Sequence, residues 1–406
     1  MAPERPLRVC IPIGKYPPVF TGQGIQIQRG LPYLRARGIE VTILTSRLPR
    51  SLGATVRDDT ALVDRVLTPG LDHFSIVPRL LQFRRYFDRR RGVFDVVQCD
   101  LLAWEFLLSI RYLKSLGLPI AVEMVLLGGD DPLSTSRERF GSLKLGLLKN
   151  VDLWIGLSSA FLPRVREAGI PEDRFRLVYP GVDVRTYRPL SPEARRATRS
   201  RLGLPMNARI VVSVGSVIRR KGFDRLLRAW ESYRPRTGRD LLVMVGPATE
   251  AEGLRGPDVT FAGTLVDRSR VANLAGTVRW VGRAENVQEY LGAADLFVFL
   301  SRQEGLGIVI LEALACGLPC LVSPLDGIAA EIVSDGRTGI IVKDPDNAAA
   351  VASCVKQLLE QPGAQASMAE AARRTIVERF SFEARADVLA SLYRELVARP
   401  RTASRP

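Results

Sequence analysis

The stretch 301–336 holds the residues of this chain whose types and spacing are best suited to chemistry. Two acids, Glu304 and Glu312, are separated by seven residues, and Gly305 and Gly307 follow the first of them. Apolar runs in and around this segment predict a strand, a glycine-containing loop, a helix and a second strand. That alternation is the repeating unit of a doubly wound parallel sheet.

In such a sheet, ligands bind at the loops that follow the carboxyl ends of the strands, which is where Glu304 is expected. The glycines let the backbone approach a ligand closely. The following helix directs free N–H groups and its positive dipole end toward an anion such as a diphosphate. A carboxylate offers two oxygens to paired sugar hydroxyls, and Glu312, about a turn into the helix, could still reach polyol hydroxyls. Helix capping is the simpler interpretation of an isolated pair of acids.

A second candidate anion site lies in residues 213–224, SVGSVIRRKGFD. The pattern predicts a strand, a loop and a helix that begins near Phe223, with Arg219, Arg220 and Lys221 at the helix start. Cations beside a helix N-terminus favour a diphosphate, because side-chain charge and helix dipole act together. Solvated turn residues are the alternative interpretation of these three cations.

The first segment resembles the signature of family 4 glycosyltransferases, which are retaining enzymes of the GT-B fold. Their pattern runs S-x-x-E-G-F-G, with seven residues between the acids, and continues as E-A-x-A-x-G-x-P. The matching residues are Ser301, Glu304, Gly305, Gly307, Glu312, Ala313, Ala315, Gly317 and Pro319. Leu306 replaces the family's Phe, and a later G-x-x-E is represented by Gly327 and Glu331 with one extra residue between them.

The resemblance implies transfer of a sugar from a nucleoside-diphosphate sugar to a hydroxyl acceptor, with retention of configuration. It implies that Glu304 binds the sugar hydroxyls and Glu312 the ribose. It also implies that Lys221 and a neighbouring arginine stabilise the leaving diphosphate, so that neither a metal nor a cofactor is needed. A glycolipid, a polysaccharide intermediate or a small molecule could each be the acceptor.

The second segment is similar to the family's G-R-L…R-K-G-x-D pattern at Gly215, Lys221 and Gly222. Ser216 stands where the family often has an arginine, and Arg219 is the candidate replacement for that charge. The run from residue 261 onward resembles the family's V-x-F-x-G region. There Gly282, Arg283 and Val287 are expected in the loop that binds the nucleotide base, and Asp295 is expected to be a structural cap or turn residue.

The N-terminal half offers weaker motifs. Gly22 and Gly24 fall at a predicted loop–helix junction after the first strand, and a glycine pair alone is a weak phosphate signal. The surrounding YPP…TGQG resembles the start of the same family, which implies that this loop faces the donor diphosphate.

The acceptor side departs from the family. Glu123 stands where many members carry a histidine, residues 98–100 read Gln-Cys-Asp, and the single histidine, His73, is elsewhere and is interpreted as a loop residue. Either the departing phosphate accepts the acceptor proton, or Glu123, Asp130 or Asp131 helps. A turn is the ordinary explanation for the two adjacent aspartates.

A chain of 406 residues predicts about two domains. The expected fold is α/β of the GT-B type, with two Rossmann-like doubly wound domains facing a cleft. Residues 1–189 form the predicted acceptor-side domain and residues 190–380 the nucleotide-sugar-binding domain. Residues 381–406 form a helix that, by the resemblance, returns to the N-terminal domain, followed by a short tail.

Composition argues against several other classes of protein. No apolar run reaches membrane-spanning length, and the chain enters a strand directly after its first residues, so no secretory signal is expected. The five cysteines lie mostly in apolar runs and suggest buried thiols in a reducing, cytoplasmic compartment. With a single histidine, a zinc site has little support.

The net charge of +15 favours anionic partners. Its densest cluster, residues 79–92, predicts a basic and partly apolar helix that suits peripheral contact with an anionic membrane, while a solvated helix face explains it equally well. Nucleic-acid binding lacks a recognisable module. A sugar-nucleotide epimerase on the same fold, or a non-catalytic sugar-nucleotide-binding protein, are the alternative functions.

Overall fold

Two compact units, each built around a largely parallel sheet, are found in the computed structural model. It describes residues 5–19, 21–57, 60–68, 76–100, 102–271, 273–325 and 328–399. The first unit takes the chain up to Gly181 and resumes at Phe382, and the second runs from Val182 to Ser381. The predicted α/β class with two doubly wound units is confirmed.

The sheet of the first unit runs in the order β3-β4-β2-β1-β5-β6-β7-β8 among the described residues. Its strands are β1 (Leu7–Ile13), β2 (Ile39–Ser46), β3 (Thr55–Arg57), β4 (Ala61–Leu67), β5 (Val96–Cys99), β6 (Ile120–Met124), β7 (Leu153–Gly156) and β8 (Phe175–Leu177). Only β3 and β4 pair antiparallel. These two strands were not predicted, because β3 is exposed and short and Asp64 and Arg65 interrupt the apolar pattern of β4.

Helices cover this sheet. They are α1 (Gly22–Arg35), α2 (Ile76–Asp88), α3 (Trp104–Leu107), α4 (Ile110–Ser115), α5 (Pro132–Ser136), α6 (Gly141–Leu148) and α7 (Phe161–Glu167). Helix α1 begins at Gly22, where the Thr21 side chain caps the Gly24 N–H. The apolar run 101–116 suggests one helix from its sequence, but it forms α3 and α4 with a break at Ser109, and Leu101 lies outside the described residues.

The sheet of the second unit is parallel throughout, in the order β11-β10-β9-β12-β13-β14. Its strands are β9 (Arg209–Val214), β10 (Asp240–Val245), β11 (Val278–Gly282), β12 (Leu296–Phe299), β13 (Cys320–Val322) and β14 (Gly339–Ile341). Strands β9, β10 and β12 are almost wholly buried, as expected for parallel strands with helices on both faces.

The helices of the second unit are α8 (Pro192–Arg201), α9 (Phe223–Tyr233), α10 (Pro257–Arg268), α11 (Val287–Ala293), α12 (Ile308–Ala315), α13 (Ala329–Ile332), α14 (Ala348–Glu360) and α15 (Pro362–Arg379). Helix α10 corrects the alignment of the V-x-F-x-G pattern from residue 261. Phe261 lies inside this helix, and the spacing is met instead by Val278, Trp280 and Gly282 in β11.

The segment before α8 belongs with the second unit, although the sequence places the domain boundary near residue 190. Arg373 of α15 donates to the carbonyls of Val184 and Tyr187 at 2.7 Å each, and Val182 N–H donates to Phe380 at 2.8 Å. These bonds fasten residues 182–189 to α15, so the compact units divide at residue 181.

The last helix, α16 (Phe382–Ala398), returns to the first unit. Phe382 stacks on Tyr33 of α1 with ring centroids 5.4 Å apart, and the Arg37 guanidinium forms two hydrogen bonds, of 2.6 and 2.8 Å, to Asp387. The contact of the C-terminal helix with the N-terminal domain is therefore confirmed.

Asp295 is structural, as predicted, but it is neither a cap nor a turn residue. Its carboxylate accepts from Arg195 at 2.6 Å and from Arg199 at 2.9 Å, both in α8, and from the Ile210 N–H at 2.7 Å. The Arg199 side chain is only 8% exposed. One carboxylate thus compensates a buried guanidinium and ties α8 to β9.

Replacing Asp295 by Ala is expected to lower the free energy of unfolding by about 3–5 kcal/mol, because Arg199 is left as an uncompensated buried charge. Urea denaturation measures the loss. Asp267→Ala is the matched control in the same unit, since Asp267 and its partner Arg270 are exposed, and little change is expected there. Equal losses in the two variants would contradict the role given to Asp295.

Candidate active site

The candidate site of the second unit lies where its strand order reverses. From the central strand β9 the chain continues to β10 on one side, whereas β12, on the other side, continues to β13. The loops after β9 and β12 therefore emerge side by side at the carboxyl edge of the sheet, which is where doubly wound sheets bind ligands. Residues 215–222 form the first loop and residues 300–307 the second.

Glu304 and Lys221, predicted from separate segments, meet between these loops. The Glu304 carboxylate, 7% exposed, accepts hydrogen bonds from Lys221 Nζ and from Ser301 Oγ, each at 2.7 Å. Arg220 Nη1 lies 3.2 Å from the same oxygen, Oε1. A buried carboxylate is thus held by two cations and a hydroxyl, and the cluster carries a net positive charge.

Burial lowers the pKa of Lys221, and the adjacent Glu304 carboxylate opposes that shift. The ammonium and the carboxylate therefore depend on each other for their charge in this desolvated position. An anion arriving at Lys221 would add to the stabilisation that Glu304 provides. The pair is accordingly suited to a ligand that carries both negative charge and hydroxyl groups.

Backbone and side-chain bonds lock the two loops together. Arg302 N–H donates to Arg220 O at 2.8 Å, its guanidinium forms two 2.8 Å bonds to Asp224 of α9, and Arg220 Nη1 donates to Gln303 O at 2.6 Å. The sequence did not reveal the bracing roles of Ser301, Arg302 and Asp224, since a further Arg–Asp pair has no distinctive pattern in an arginine-rich chain.

Gly222 is required by the close approach of the loops. Its φ is +72°, and a Cβ at this position would lie 2.0 Å from the Leu300 carbonyl oxygen. Helix α9 begins directly after it, and α12 begins directly after Gly307, without a side-chain cap bond at either start. Two positive helix ends therefore open beside the Lys221–Glu304 pair, which favours an anion there.

The other predicted residues of this site differ in their burial and in their distance from Glu304. Arg219 is exposed and its guanidinium lies 5.4 Å from the ring centroid of Phe261, so Arg220 rather than Arg219 is the arginine beside Glu304. Ser216 is half-buried in the loop after β9, and Glu312 lies in the second turn of α12, also half-buried. Gly305 and Leu306 are buried within the loop after β12.

The predicted base-binding loop is organised by a residue that the sequence did not identify. Glu252 accepts the Arg283 N–H at 3.3 Å through one oxygen and the Ala248 N–H at 2.8 Å through the other. It thereby joins the loops after β10 and β11. Gly282 has a φ of +77°, and a Cβ there would lie 2.0 Å from Glu252 Oε1. Val287 is the first residue of α11 rather than a loop residue.

In the first unit the sheet order reverses between β1 and β5. Gly22 and Gly24 form the first turn of α1 after β1, and a Cβ on Gly24 would lie 2.8 Å from Thr21 Oγ1. Next to them, Gln23 Nε2 donates at 2.9 Å to Asp100, which follows β5. The predicted glycine turn is therefore fixed to the neighbouring strand end.

Glu123, predicted on the acceptor side, is a buried ion-pair residue. Both of its oxygens accept from Arg385 Nη2 of α16 at 2.8 Å, and Oε2 accepts from Gln98 Nε2 at 3.0 Å. Tyr393 OH, also from α16, donates to Gln98 at 2.6 Å. These contacts explain Glu123 as the residue that anchors the returning helix to the sheet.

Asp130 and Asp131 support the turn interpretation. Asp130 accepts the N–H groups of Val125 and Leu126, at distances down to 2.8 Å, and burial raises its pKa to about 6. Asp131 caps α5 through the Ser134 N–H at 2.8 Å and pairs with Arg164 at 2.6 Å. Both carboxylates are thus occupied in closing the loop between β6 and α5.

Asp100 is a buried acid that the sequence did not single out. It accepts from Gln23 and, at 3.1 Å, from Gln98, while burial and the nearby Glu123 charge raise its pKa to about 7. The only signal for Asp100 in the sequence was its position in the Gln-Cys-Asp stretch after the apolar run of β5. His73 lies outside the described residues. In the part of the chain that the structure describes, no cluster of His, Cys, Asp and Glu is arranged to hold a metal ion.

Comparison with known proteins identifies the chain. Residues 194–375 match the family model described as Glycosyl transferases group 1, and residues 21–181 match the Glycosyl transferase 4-like domain. D-inositol 3-phosphate glycosyltransferase 2 of Catenulispora acidiphila is 30% identical over 382 residues, which are 88% of this chain and 86% of that protein. The chain belongs to the group 1 glycosyl transferases.

Other similar proteins agree. The D-inositol 3-phosphate glycosyltransferase of Thermobispora bispora is 29% identical and covers 93% of this chain and 90% of its own length. Sucrose-phosphate synthase from Thermosynechococcus elongatus superposes with a TM-score of 0.81 at 21% identity, over 97% of this chain and all of that one. An Anabaena protein, HepE, in complex with UDP-glucose gives 0.75 at 17% identity, over 96% of this chain and all of that one.

These structures establish the GT-B fold, and the family assignment makes the chain a retaining glycosyltransferase that uses a nucleotide-sugar donor. Within this glycosyltransferase, the two acids and the lysine of the family motif are present with the geometry described above. No helix in the described ranges is both long and apolar enough to cross a membrane.

Asp100→Asn is expected to flatten the pH dependence of stability. The folded-state pKa of Asp100 is about 7 and the unfolded value is about 4, so folding takes up a proton between them. The wild-type free energy of unfolding should therefore fall as pH rises through this range, by up to ~1.4 kcal/mol per pH unit. Urea denaturation from about pH 5 to about pH 8 measures both proteins.

Asp130, whose pKa is about 6, contributes to the slope of both proteins. The difference between the two slopes is therefore the diagnostic quantity. Identical slopes for wild type and Asp100→Asn would show that Asp100 does not titrate in this range.

Proposed function

We propose that the second unit binds a nucleoside-diphosphate sugar with its diphosphate against Lys221 and Arg220 and its sugar hydroxyls against Glu304. The observation that carries this proposal is the cluster of one buried carboxylate and two cations at the switch point of the sheet. The free starts of α9 and α12 add dipole charge of the same sign. In this arrangement Glu312 binds the ribose, and Gly282, Arg283 and Val287 lie beside the base.

The reaction breaks the bond between the anomeric carbon and the diphosphate oxygen and forms a bond from that carbon to the acceptor oxygen. Negative charge grows on the leaving diphosphate, and the cations stabilise it most in the transition state. Gly305, Leu306 and Gly307 keep the loop backbone close to the donor. For Gly22 and Gly24 of the first unit, the donor role that the family resemblance implies stays a prediction.

The acceptor proton goes to the departing phosphate oxygen, which is the base available when no histidine stands at position 123. The ion pair of Glu123 with Arg385 and the loop contacts of Asp130 and Asp131 argue against these acids as the base. The intact Lys221–Glu304 pair argues against a non-catalytic binding protein. An epimerase would need acid–base groups around the sugar that this cluster does not offer.

The acceptor is proposed to be a small hydroxyl compound, with phosphorylated inositol as the first candidate. Two relatives that cover nearly the whole chain are D-inositol 3-phosphate glycosyltransferases. The first unit is proposed to hold the acceptor and the second unit the donor, while α16 fastens the C-terminal part of the chain to the first unit. A glycolipid or a polysaccharide intermediate is the alternative, and a panel of acceptors separates them.

The donor is tested by thermal shift with UDP, GDP and ADP sugars. At least one of them is expected to raise the Tm of the wild-type protein, because a ligand that binds only the folded state stabilises it. The same sugar should raise the Tm of Glu304→Ala less. A Tm that none of these compounds changes would count against the proposed donor site.

Lys221→Met is expected to lower kcat by about 10²–10³-fold with the donor so identified, since it removes a charge that stabilises the leaving group. Glu304→Gln should also lower kcat, because it weakens both the sugar contact and the support of Lys221. Lys356→Met, at an exposed position of α14, is the matched control and should retain wild-type kcat. Near wild-type turnover in both site variants would refute the assignment.

We propose peripheral membrane contact, from a cytoplasmic location, through the exposed side chains of residues 79–92. Phe83, Tyr86 and Phe87 of α2 are buried in the core and Arg79 is buried against Glu105, so this helix has no free aromatic face. Arg85 of this helix is exposed, as are Arg89 and Arg91 directly after it, and the helix also exposes Val77 and Leu81. Contact through this region therefore combines the three cations with two aliphatic side chains.

Replacing Arg85, Arg89 and Arg91 together by Gln should weaken binding to anionic vesicles, and salt should weaken the wild type in the same way. Co-sedimentation measures the bound fraction. Arg268→Gln with Arg270→Gln, on the second unit, is the control for loss of charge. Binding that is unchanged in the triple variant would exclude α2 from the contact.

A further inference from the structure

Phe140 combines exposure with an unfavourable backbone. Its side chain is 57% exposed, and its φ of +62° lies in the left-handed region that bulky residues seldom adopt. The backbone is tightly packed directly after it, because a Cβ on Gly141 would lie 1.9 Å from the Ser136 carbonyl oxygen. Glycine would fit position 140 without strain, so the aromatic ring is kept there at an energetic cost.

The helix that follows Phe140 is apolar but poorly buried. Helix α6 has the sequence GSLKLGLL, yet only Gly141 and Leu148 are buried, and Leu143 is 55% exposed. Trp104 of α3, half-buried, lies edge-on to Phe140 with ring centroids 6.1 Å apart. Trp104, Phe140 and Leu143 thus form an apolar surface, called here the α6 surface, at the outside of the first unit.

Cations surround the α6 surface. Lys144 Nζ lies 4.9 Å from the Trp104 ring centroid, and the Arg139 guanidinium lies 5.1 Å from that of Phe140. Residues 137–149 contain four cations and one acid, Glu138, which Lys144 neutralises at 2.5 Å. Aromatic rings beside arginine and lysine, next to exposed leucine, match the boundary between anionic headgroups and acyl chains.

We propose that the α6 surface inserts into the headgroup region of an anionic lipid bilayer, with Phe140 and Leu143 in the acyl boundary and the exposed Arg139 among the phosphates. The proposal deepens the peripheral contact proposed above by naming the element that inserts, whereas α2 exposes Val77 and Leu81 but no aromatic ring. The strained aromatic and the apolar helix supply what α2 lacks, because the aromatic residues of α2 are buried in the core. Burial of apolar surface and attraction of anionic lipid then act together.

The test uses the full chain and vesicles of equimolar phosphatidylcholine and phosphatidylglycerol, without nucleotide sugar. Phe140→Gly should leave the Tm equal to or above that of the wild type, since glycine accepts the positive φ, yet weaken vesicle partitioning about tenfold. Leu143→Gln should weaken it similarly. Val388→Gln, at an exposed apolar position of α16, is the matched control and should bind like the wild type.

The depth to which the α6 surface inserts into the bilayer is measured by quenching of tryptophan fluorescence by brominated lipid. Trp154 and Trp230 are buried, and the half-buried Trp280 lies in β11 of the second unit, so quenching should come mainly from Trp104 and be lost in Trp104→Phe. Wild-type partitioning of both Phe140→Gly and Leu143→Gln would overturn the inference, even if the α2 triple variant had lost binding. Equal binding to pure phosphatidylcholine vesicles would also overturn it. Donor-sugar turnover in solution is a separate measurement, so failure of the transferase proposal would leave these outcomes readable.

Discussion

The arrangement of the loops after β9 and β12 in the second unit depends on the buried ion pair of Lys221 with Glu304. An ammonium and a carboxylate can stay charged together only where each compensates the desolvation of the other. The residues are 83 positions apart in sequence, and they meet because β9 and β12 are neighbours with parallel direction. Gly222 permits the close approach of the two loops, and Arg302 holds it.

Buried acids at strand ends also shape the first unit, but one of them has no cation bonded to it among the described residues. Glu123 and Asp100 lie at the ends of neighbouring strands, and Arg385 forms an ion pair with Glu123. Burial, and after it the nearby Glu123 charge, raises the pKa of Asp100. One carboxyl cluster therefore fastens α16 to the sheet and leaves a titratable acid beside the first turn of α1.

The sequence predicted the parts of this molecule that local patterns encode. Apolar runs followed by glycine and charge located β1, β9 and β12, and the family motif located Glu304 and Lys221. Partners that are distant in sequence were out of reach: Arg385 is 262 residues from Glu123, and no periodicity links them. The same holds for Glu252, which is recognisable only when β10 and β11 lie side by side.

Net charge does not indicate which cations of this chain are available to an anion, for a physical reason. Many arginines of this chain serve as multiple hydrogen-bond donors to carbonyl groups inside the fold, as Arg199 and Arg373 do. Their charge is not available to a ligand, although it counts fully in the total of +15. What distinguishes a binding surface is a cation beside a feature that folding does not need, such as the strained and exposed ring of Phe140. That criterion requires backbone dihedral angles and exposed areas, which composition does not contain.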